Sequence, residues 1–282
     1  MKLKFFSFLA VLLLFLAACA PVTENPQLLP AGQVKLHFID VGQGDAVLIE
    51  GTGGQTVLYD GGRGDAALDY LTAIGLETLD LVIASHPDAD HIGGLDKIVA
   101  KYKPRFYLDN TMAATTQTYE DLLRAVAEAG TQVLDPSRRS IDLGAAKLLI
   151  IPPPLDESFD RNDNSVGVML DFGDFEAALT GDAEDKEFQW WLSHTPTYLQ
   201  QVEVYKSSHH GSKNGDSEAS ITTFLPELVV ISVGASNPYG HPTQEALDLY
   251  ASVAATVLRT DQSGTVIVTG RADGSFQVET EK

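Results

Sequence analysis

One cysteine, Cys19, is all the chain has in 282 residues, so no intramolecular disulfide can brace the fold. Basic residues are scarce as well: 19 lysines and arginines stand against 39 aspartates and glutamates, a formal net charge of −20. So acidic a surface repels nucleic-acid phosphates and anionic membranes at long range, which argues against a passive nucleic-acid-binding role. It leaves room for chemistry on a phosphodiester, because bound cations reverse the field locally. Downstream of Cys19 no apolar run is long enough to cross a bilayer. There is no repeat of fixed period and no long stretch of disordered composition. The length suffices for a sizeable core in one large domain or two modest ones.

The N-terminus stands apart. Lys2 and Lys4 precede an apolar run from Phe5 to Leu16, and Ala17, Ala18 and Cys19 follow. A positive start, a short apolar stretch and small residues describe a secretion signal, too short to remain as a membrane span. Leu16-Ala17-Ala18-Cys19 resembles the lipobox of bacterial lipoproteins. That resemblance implies removal of residues 1–18, a lipid on Cys19 and a place on the extracytoplasmic side of the cell membrane. Losing Lys2 and Lys4, two positive charges, would take the formal charge from −20 to −22. Residues 19–33 carry Pro21, Pro26 and Pro30, lack periodicity and read as an extended tether. The folded domain is expected over residues 34–282.

Short apolar, β-rich runs then recur between turn residues. They are Val34–Ile39, Ala46–Ile49, Thr56–Tyr59, Leu79–Ala84, Arg105–Leu108, Lys147–Ile151 and Val166–Phe172. Phe175–Leu179, Val202–Lys206, Leu228–Val233, Thr256–Arg259, Thr265–Thr269 and Phe276–Val278 complete the set. Helical spacing is fewer: Ala66–Ile74, Gly94–Tyr102, Tyr119–Ala129, Glu184–Leu192 and Gln244–Ser252. Gly130 is placed to stop the third of these helices, and Thr243 to cap the start of the fifth. Strand pairs alternating with helices in both halves predict two packed sheets with helices outside, in one continuous domain.

The segment richest in chemistry is Ser85-His86-Pro87-Asp88-Ala89-Asp90-His91-Ile92-Gly93-Gly94. It leaves the end of an apolar strand and sets four potential metal ligands within six residues, His86, Asp88, Asp90 and His91. Buried together without a cation, the two carboxylates would repel each other severely. Imidazole with carboxylate suits zinc, manganese or iron better than calcium. An acidic, solvated turn with incidental histidines is the alternative reading, and the two histidines bracketing two aspartates weigh against it.

That segment resembles the H-x-[HD]-x-D-H metal loop of the metallo-β-lactamase superfamily. The resemblance is nearest to the hydrolase domain at the C-terminus of the competence DNA-uptake channel ComEC, and it covers most of residues 34–276. Besides the metal loop it rests on Phe38-Ile39-Asp40-Val41-Gly42-Gln43-Gly44-Asp45-Ala46, Tyr59-Asp60-Gly61-Gly62 and Asn162-Asp163-Asn164-Ser165. Leu179-Thr180-Gly181-Asp182-Ala183-Glu184, Ser208-His209-His210-Gly211-Ser212 and Asn237-Pro238-Tyr239-Gly240-His241-Pro242 follow in the family's order. The family implies an α/β sandwich of two mixed sheets between outer helices, and one or two divalent metal ions, zinc or manganese. It implies His86 and Asp88 at one ion, Asp90 and His91 at a second, and Asp182 bridging them. Asp60 would orient a ligand of the metal loop, although locally it is as readable as a turn former. Asp88 and Asn164 stand where many members place histidine, which makes the first site oxygen-rich and turns its preference from zinc towards manganese.

Asp90, Asp182, His209, His210 and His241 form the candidate catalytic set, with His210 also a candidate ligand. Which of His209, His210 and His241 binds metal and which donates a proton stays open. Lys206, Ser212 and Lys213 are donors suited to phosphate. His37, alternating with apolar residues in a strand, and His194, trailing a helix, read as structural. The reaction implied is metal-assisted hydrolysis of a phosphodiester, with DNA the leading substrate class and no stable protein partner. A small phosphoester of the phosphocholine type, or an inactive binding protein on the same fold, are the competing readings. The H-H-G segment and Asn164 argue against a β-lactamase.

Overall fold

The computed structural model describes residues 32–282. The expected signal, the lipid-bearing Cys19 and nearly all of the tether lie outside the described residues. In chain order the first half runs β1 (Gln33–Phe38), β2 (Val47–Glu50), β3 (Thr56–Tyr59), α1 (Ala66–Ala73), β4 (Leu81–Ile83) and α2 (Ala89–Ile92). It continues through α3 (Leu95–Tyr102), β5 (Phe106–Leu108), α4 (Gln117–Ala129) and β6 (Gln132–Leu134). The second half runs β7 (Arg139–Leu143), β8 (Ala146–Ile151), β9 (Gly167–Phe172), β10 (Phe175–Leu179), α5 (Asp185–His194), β11 (Val204–Lys206) and α6 (Glu218–Phe224). Then follow β12 (Leu228–Ile231), α7 (Gln244–Ser252), β13 (Thr256–Arg259), α8 (Thr260–Ser263), β14 (Val266–Arg271) and β15 (Phe276–Thr280).

The strands form two sheets, β15-β14-β1-β2-β3-β4-β5-β6 and β13-β12-β11-β10-β9-β8-β7. Each has an antiparallel part built from hairpins and a parallel part, β3 to β6 in one and β10 to β13 in the other. Parallel neighbours need a crossover, and helices supply it. Strands covered on both faces read as unbroken apolar runs. In β3, Val57 and Tyr59 point between the sheets while Leu58 packs under the helices. β12 does the same with Leu228 and Val230 inward and Val229 and Ile231 outward. The molecule is therefore four layers deep: helices, sheet, sheet, helices. No helix among the described residues is long and apolar enough to cross a membrane.

Local chemistry sets the helix ends. Thr116 and Thr243 accept hydrogen bonds from Tyr119 N and Ala246 N at the starts of α4 and α7, and Gly130 ends α4 in a left-handed conformation. Five elements escape the sequence reading: β6, β7, the short α2 and α8, and α6. β6 is an edge strand whose residues are mostly exposed, so it lacks an apolar signature. α6 reads Glu-Ala-Ser-Ile-Thr-Thr-Phe, with three β-branched residues that weaken helical propensity. Its start is nonetheless encoded by the reciprocal cap of Ser217 and Ser220.

Candidate metal centre and pocket

Every residue of the centre leaves the C-terminal end of a strand. Asp60 follows β3, Ser85 and His86 follow β4, Asp182 follows β10, His209 and His210 follow β11, and Ser232 follows β12. Crevices outside the carboxyl ends of parallel strands are where open α/β sheets place ligands, and here two such edges face one another. The β1–β2 loop joins them. Gly44, at φ +139, lies against the Asp90 carbonyl, which a side chain would strike, and this lets Asp45 N donate to Asp90 O at 3.0 Å.

Hydrogen bonds to the imidazoles fix which nitrogen each presents. Asp60 accepts from Ser85 N and Ser85 Oγ, both at 2.7 Å, and from His91 Nδ1 at 2.8 Å. A carboxylate only accepts, so His91 carries its proton on Nδ1 and turns Nε2 into the centre. Ser85 Oγ has given its proton to Asp60, so at 3.1 Å it accepts from His86 Nδ1, and His86 also presents Nε2. His210 Nδ1 donates to the Ser232 carbonyl at 2.9 Å, and His209 Nδ1 to Glu184 Oε1 at 3.0 Å. All four rings are thus tied from behind.

The front nitrogens of His91, His209 and His210 converge on Asp182. Its Oδ1 is 3.2 Å from His91 Nε2, and its Oδ2 is 3.5 Å from His210 Nε2 and 3.6 Å from His209 Nε2. Asp90 Oδ2 stands 3.7 Å from His210 Nε2, and Asp88 Oδ2 3.8 Å from His86 Nε2. His86 Nε2, His91 Nε2, His210 Nε2 and Asp182 Oδ1 are buried with no hydrogen-bond partner. Polar atoms left that way cost free energy unless something unites them. A divalent cation does so, and imidazole nitrogen with carboxylate oxygen is the donor set it needs. The field points the same way: although burial opposes it, Asp182 and then Asp45 hold the His210 imidazole up to about 9. His86 goes the other way, held well below the usual range by burial and by the His91 charge.

Asp45, His91, Asp182 and His210 offer donor atoms within 4.8 Å of one another, a candidate metal-binding group. Asp45 differs from the rest in what it faces. Its Oδ2 lies 2.5 Å from Lys206 Nζ and its Oδ1 3.2 Å from His210 Nδ1, the rear of that ring. Burial raises the Asp45 carboxyl, but Lys206 and then His210 bring it down to about 2. Its geometry assigns it to orienting His210, with Lys206 as counter-ion.

Residues 39–234 match the metallo-β-lactamase superfamily model. The chain belongs to the metallo-β-lactamase superfamily. Its relatives include ComE operon protein 3 of Bacillus subtilis, 28% identical over 253 residues, 82% of this chain and 32% of that protein. Recombination protein 2 of Haemophilus influenzae is 31% identical over 242 residues, 83% of this chain and 28% of that protein. Competence protein ComA of Neisseria gonorrhoeae is 27% identical over 254 residues, 86% of this chain and 33% of that protein. The chain thus spans about a third of the length of these relatives. Among solved structures, the metallo-β-lactamase fold protein YhfI of Bacillus subtilis superposes with a TM-score of 0.56 at 14% identity, over 85% of this chain and 100% of that one. Igni18, a metallo hydrolase of Ignicoccus hospitalis, gives 0.52 at 18% identity, over 83% and 98%. Both likenesses are of fold.

The superfamily member opens its centre into a cavity of about 350 Å³ walled by Gln43, Asp88, Asp90, Asp182, His209, His210 and His241, among others. The sequence places Asp88, Asp90, Asp182, His209, His210 and His241 at one site, and the fold does bring them together. His241 lies 5.6 Å from His209, ring to ring, and burial followed by the His209 and His210 charges holds it down to about 4. Four expectations need correction. Lys206 is fully buried and spent on Asp45 and the Gly181 carbonyl, so it cannot meet a phosphate. Ser212 is buried, with its hydroxyl accepting from Asn214 N, and Lys213 is exposed; neither walls the cavity. Asn164 turns away, its amide donating to the carbonyls of Asp156, Phe159 and Asp160, so it braces its own loop.

Three participants go unnoticed from sequence. Asp45 was visible inside Gly42-Gln43-Gly44-Asp45 as a residue without a role. Ser85 and Ser165 carry the hydroxyls behind His86, and Ser165 Oγ also accepts from Asp182 N at 3.3 Å. Only their position directly after strand or motif hints at this. His37 donates or accepts with Tyr70 and Glu50, and His194 stacks on Trp190; both lie off the cavity wall.

Proposed function

We propose that this chain is a metal-dependent phosphodiester hydrolase whose substrate is a nucleic-acid strand, DNA first. The observation that carries the reading is the set of three imidazoles, His91, His209 and His210, tied at Nδ1 and turned with Nε2 towards one buried carboxylate, Asp182. His86, His91, His210 and Asp182 would hold the ion, joined by Asp88 and Asp90 from the metal loop. Bound there, one or two divalent ions supply a Lewis acid and a water acidic enough to be deprotonated near neutral pH. The chain's own residues do the rest. Asp60, Asp45 and Ser85 keep the rings aligned from behind. His209 and His241 stand at the cavity wall, where either could pass a proton to a departing alkoxide. The relatives named for competence and recombination favour DNA over a small phosphoester.

Elemental analysis of the purified chain, paired with hydrolysis of bis(p-nitrophenyl) phosphate with and without manganese or zinc, tests this. Turnover should follow metal content, and Asp182→Asn should lower kcat by about 1,000-fold, the scale on which preorganised charge is worth in such sites. A fully metallated chain that leaves the diester intact would overturn the reading. We infer in addition that Cys19 carries a lipid and tethers the domain outside the cell. Radiolabelled palmitate should enter the wild-type chain in a bacterial host and not Cys19→Ser.

A further inference from the structure

The chain is strongly acidic, yet among the described residues the only lysine or arginine side chains on the wall of this cavity, Arg63 and Arg161, are both half exposed there. They come from separate loops, Arg63 from the β3–α1 loop and Arg161 from the β8–β9 loop. Arg161 Nη1 is 2.8 Å from Asp88 Oδ1, and Arg63 Nη2 is 3.8 Å from Asp90 Oδ1. Asp88 and Asp90 are two residues apart, so the guanidinium groups meet the metal loop at points separated by at most about 7 Å of chain. A guanidinium has five N–H donors in a flat fork, and one carboxylate oxygen occupies few of them. An ion held by Asp88 and Asp90 would take up part of the negative charge that now engages the arginines.

On the wall of the same cavity stands Tyr239. Of the large apolar side chains left exposed among the described residues it is the only aromatic, 57% exposed. Its ring lies 5.7 Å from that of His241 at 30°. The turn beneath is stiff: Asn237 Oδ1 accepts from Tyr239 N and His241 N, while Asn237 Nδ2 donates to the carbonyls of Gly234 and His241. An aromatic face held open to solvent in the same cavity as two forked cations matches a base with its neighbouring phosphates.

We propose that Arg63 and Arg161 seat the phosphates flanking the reacting one and that Tyr239 stacks a base, so that the rim selects a single strand over an isolated diester. The inference takes its reacting centre from the phosphodiesterase reading, but its own evidence is the rim. The acidic surface beyond the rim confines attraction to these few contacts, so binding depends on two phosphates and one stacked base.

The test is equilibrium binding of a fluorescent oligothymidine with a phosphorothioate backbone to the full chain, by anisotropy over a range of salt. Arg63→Ala and Arg161→Ala should each flatten the slope of log K against log salt by about 0.7, the loss of one single-strand phosphate contact. Tyr239→Ala should weaken binding by about 5-fold to 100-fold with the slope unchanged, and Tyr239→Phe should restore it. Arg161→Lys keeps a charge beside Asp88, and metal content measured on each variant separates the rim from ion loading. An unchanged slope in both alanine variants, or no binding by the wild type, overturns the proposal. Tyr239→Ala binding like the wild type overturns it in favour of a base-free polyanion. So does an equal rise in KM for the strand and for bis(p-nitrophenyl) phosphate in the arginine variants, which would place their effect at the metal centre. Rim-dependent binding with no turnover of either compound would uphold the rim and sink the phosphodiesterase reading.

Discussion

Between β4 and α3 the chain presents His86 and His91 from an unremarkable backbone: no residue from 85 to 92 has a positive φ, and α2 opens after an extended Asp88. Between β11 and α6 it presents His209 and His210 from the left-handed region, at φ 47 and 54, with Gly211 following at 77. The supports differ in the same sense. His91 leans on Asp60, which is satisfied by neutral donors of Ser85 as well as by the ring. His210 leans on a carbonyl and on Asp45, which is charge-matched by a buried lysine. One strand edge presents its histidines from ordinary backbone, although Asp60 behind His91 is itself left-handed at φ 59, and the other presents them from left-handed backbone over a buried ion pair. Two facing strand edges therefore reach one geometry by separate routes, and the routes should fail differently.

The largest difference should appear on removing the carboxylates. Asp45→Asn strands the ammonium of Lys206 in a dry interior, which typically costs about 3–5 kcal/mol. Urea unfolding should show that loss in the metal-free chain. Asp60→Asn leaves the His91 imidazole with Asp182 still against its Nε2, so stability should fall far less, while metal affinity drops by about 10-fold to 100-fold as His91 loses its orienting acceptor. If the two variants unfold at the same urea concentration, the proposed asymmetry is absent.

Next in size is the strain itself. A non-glycine residue in the left-handed region costs about 1–2 kcal/mol. His209 is the safer of the pair to replace, since it is partly exposed and its ring is not packed in the core. His209→Gly should raise the unfolding free energy of the metal-free chain by about 1 kcal/mol while lowering turnover, a stability gained by losing function. The same measurement on His86→Gly should show a loss, because no strain is relieved there and a buried ring is removed. A His209→Gly chain less stable than wild type would mean that the Glu184 contact outweighs the backbone term.

The first route was readable in the sequence; of the second, His209 and His210 were readable but their support by Asp45 and Lys206 was not, for physical reasons. Ligands crowded into His86 to His91 carry their meaning locally, since such a density of donors off an apolar strand has few other uses. The apolar runs were readable too, because strands buried on both faces announce themselves. Asp45 acquires its role only when the two sheets face each other. The place of Lys206 is written in the alternation of its strand. In β11, Val204 faces the space between the sheets and Tyr205 the outer layer. Alternation then puts Lys206 back between the sheets, away from any substrate. Asn164 offered no such clue, because its partners lie four to eight residues back in its own loop.

The smallest expected effect concerns a buried carboxylate behind Ser165. Glu187, on α5, is fully buried; Oε2 accepts from Ser165 N at 3.0 Å, and Oε1 has no hydrogen-bond partner. Burial pushes its carboxyl well above the usual range, and Asp163 and Asp160 add to the rise although the Ser165 amide opposes it. A carboxyl raised in the folded state binds its proton more tightly there than in the unfolded chain. Its contribution is therefore complete below the unfolded value of about 4.3 and declines as pH rises towards and through the folded value. Asp60 is also raised by burial, but His91 opposes that directly, so the slope should belong mainly to the Glu187 side. Glu187→Gln keeps an acceptor for Ser165 N and removes the titration. Urea unfolding of metal-free wild type and Glu187→Gln should give similar stabilities near about pH 4 and an advantage for the variant that grows as pH rises above it. A difference that stays constant with pH would show that Glu187 is ionised alike in both states, and that a buried charge on this side of the centre has a partner after all.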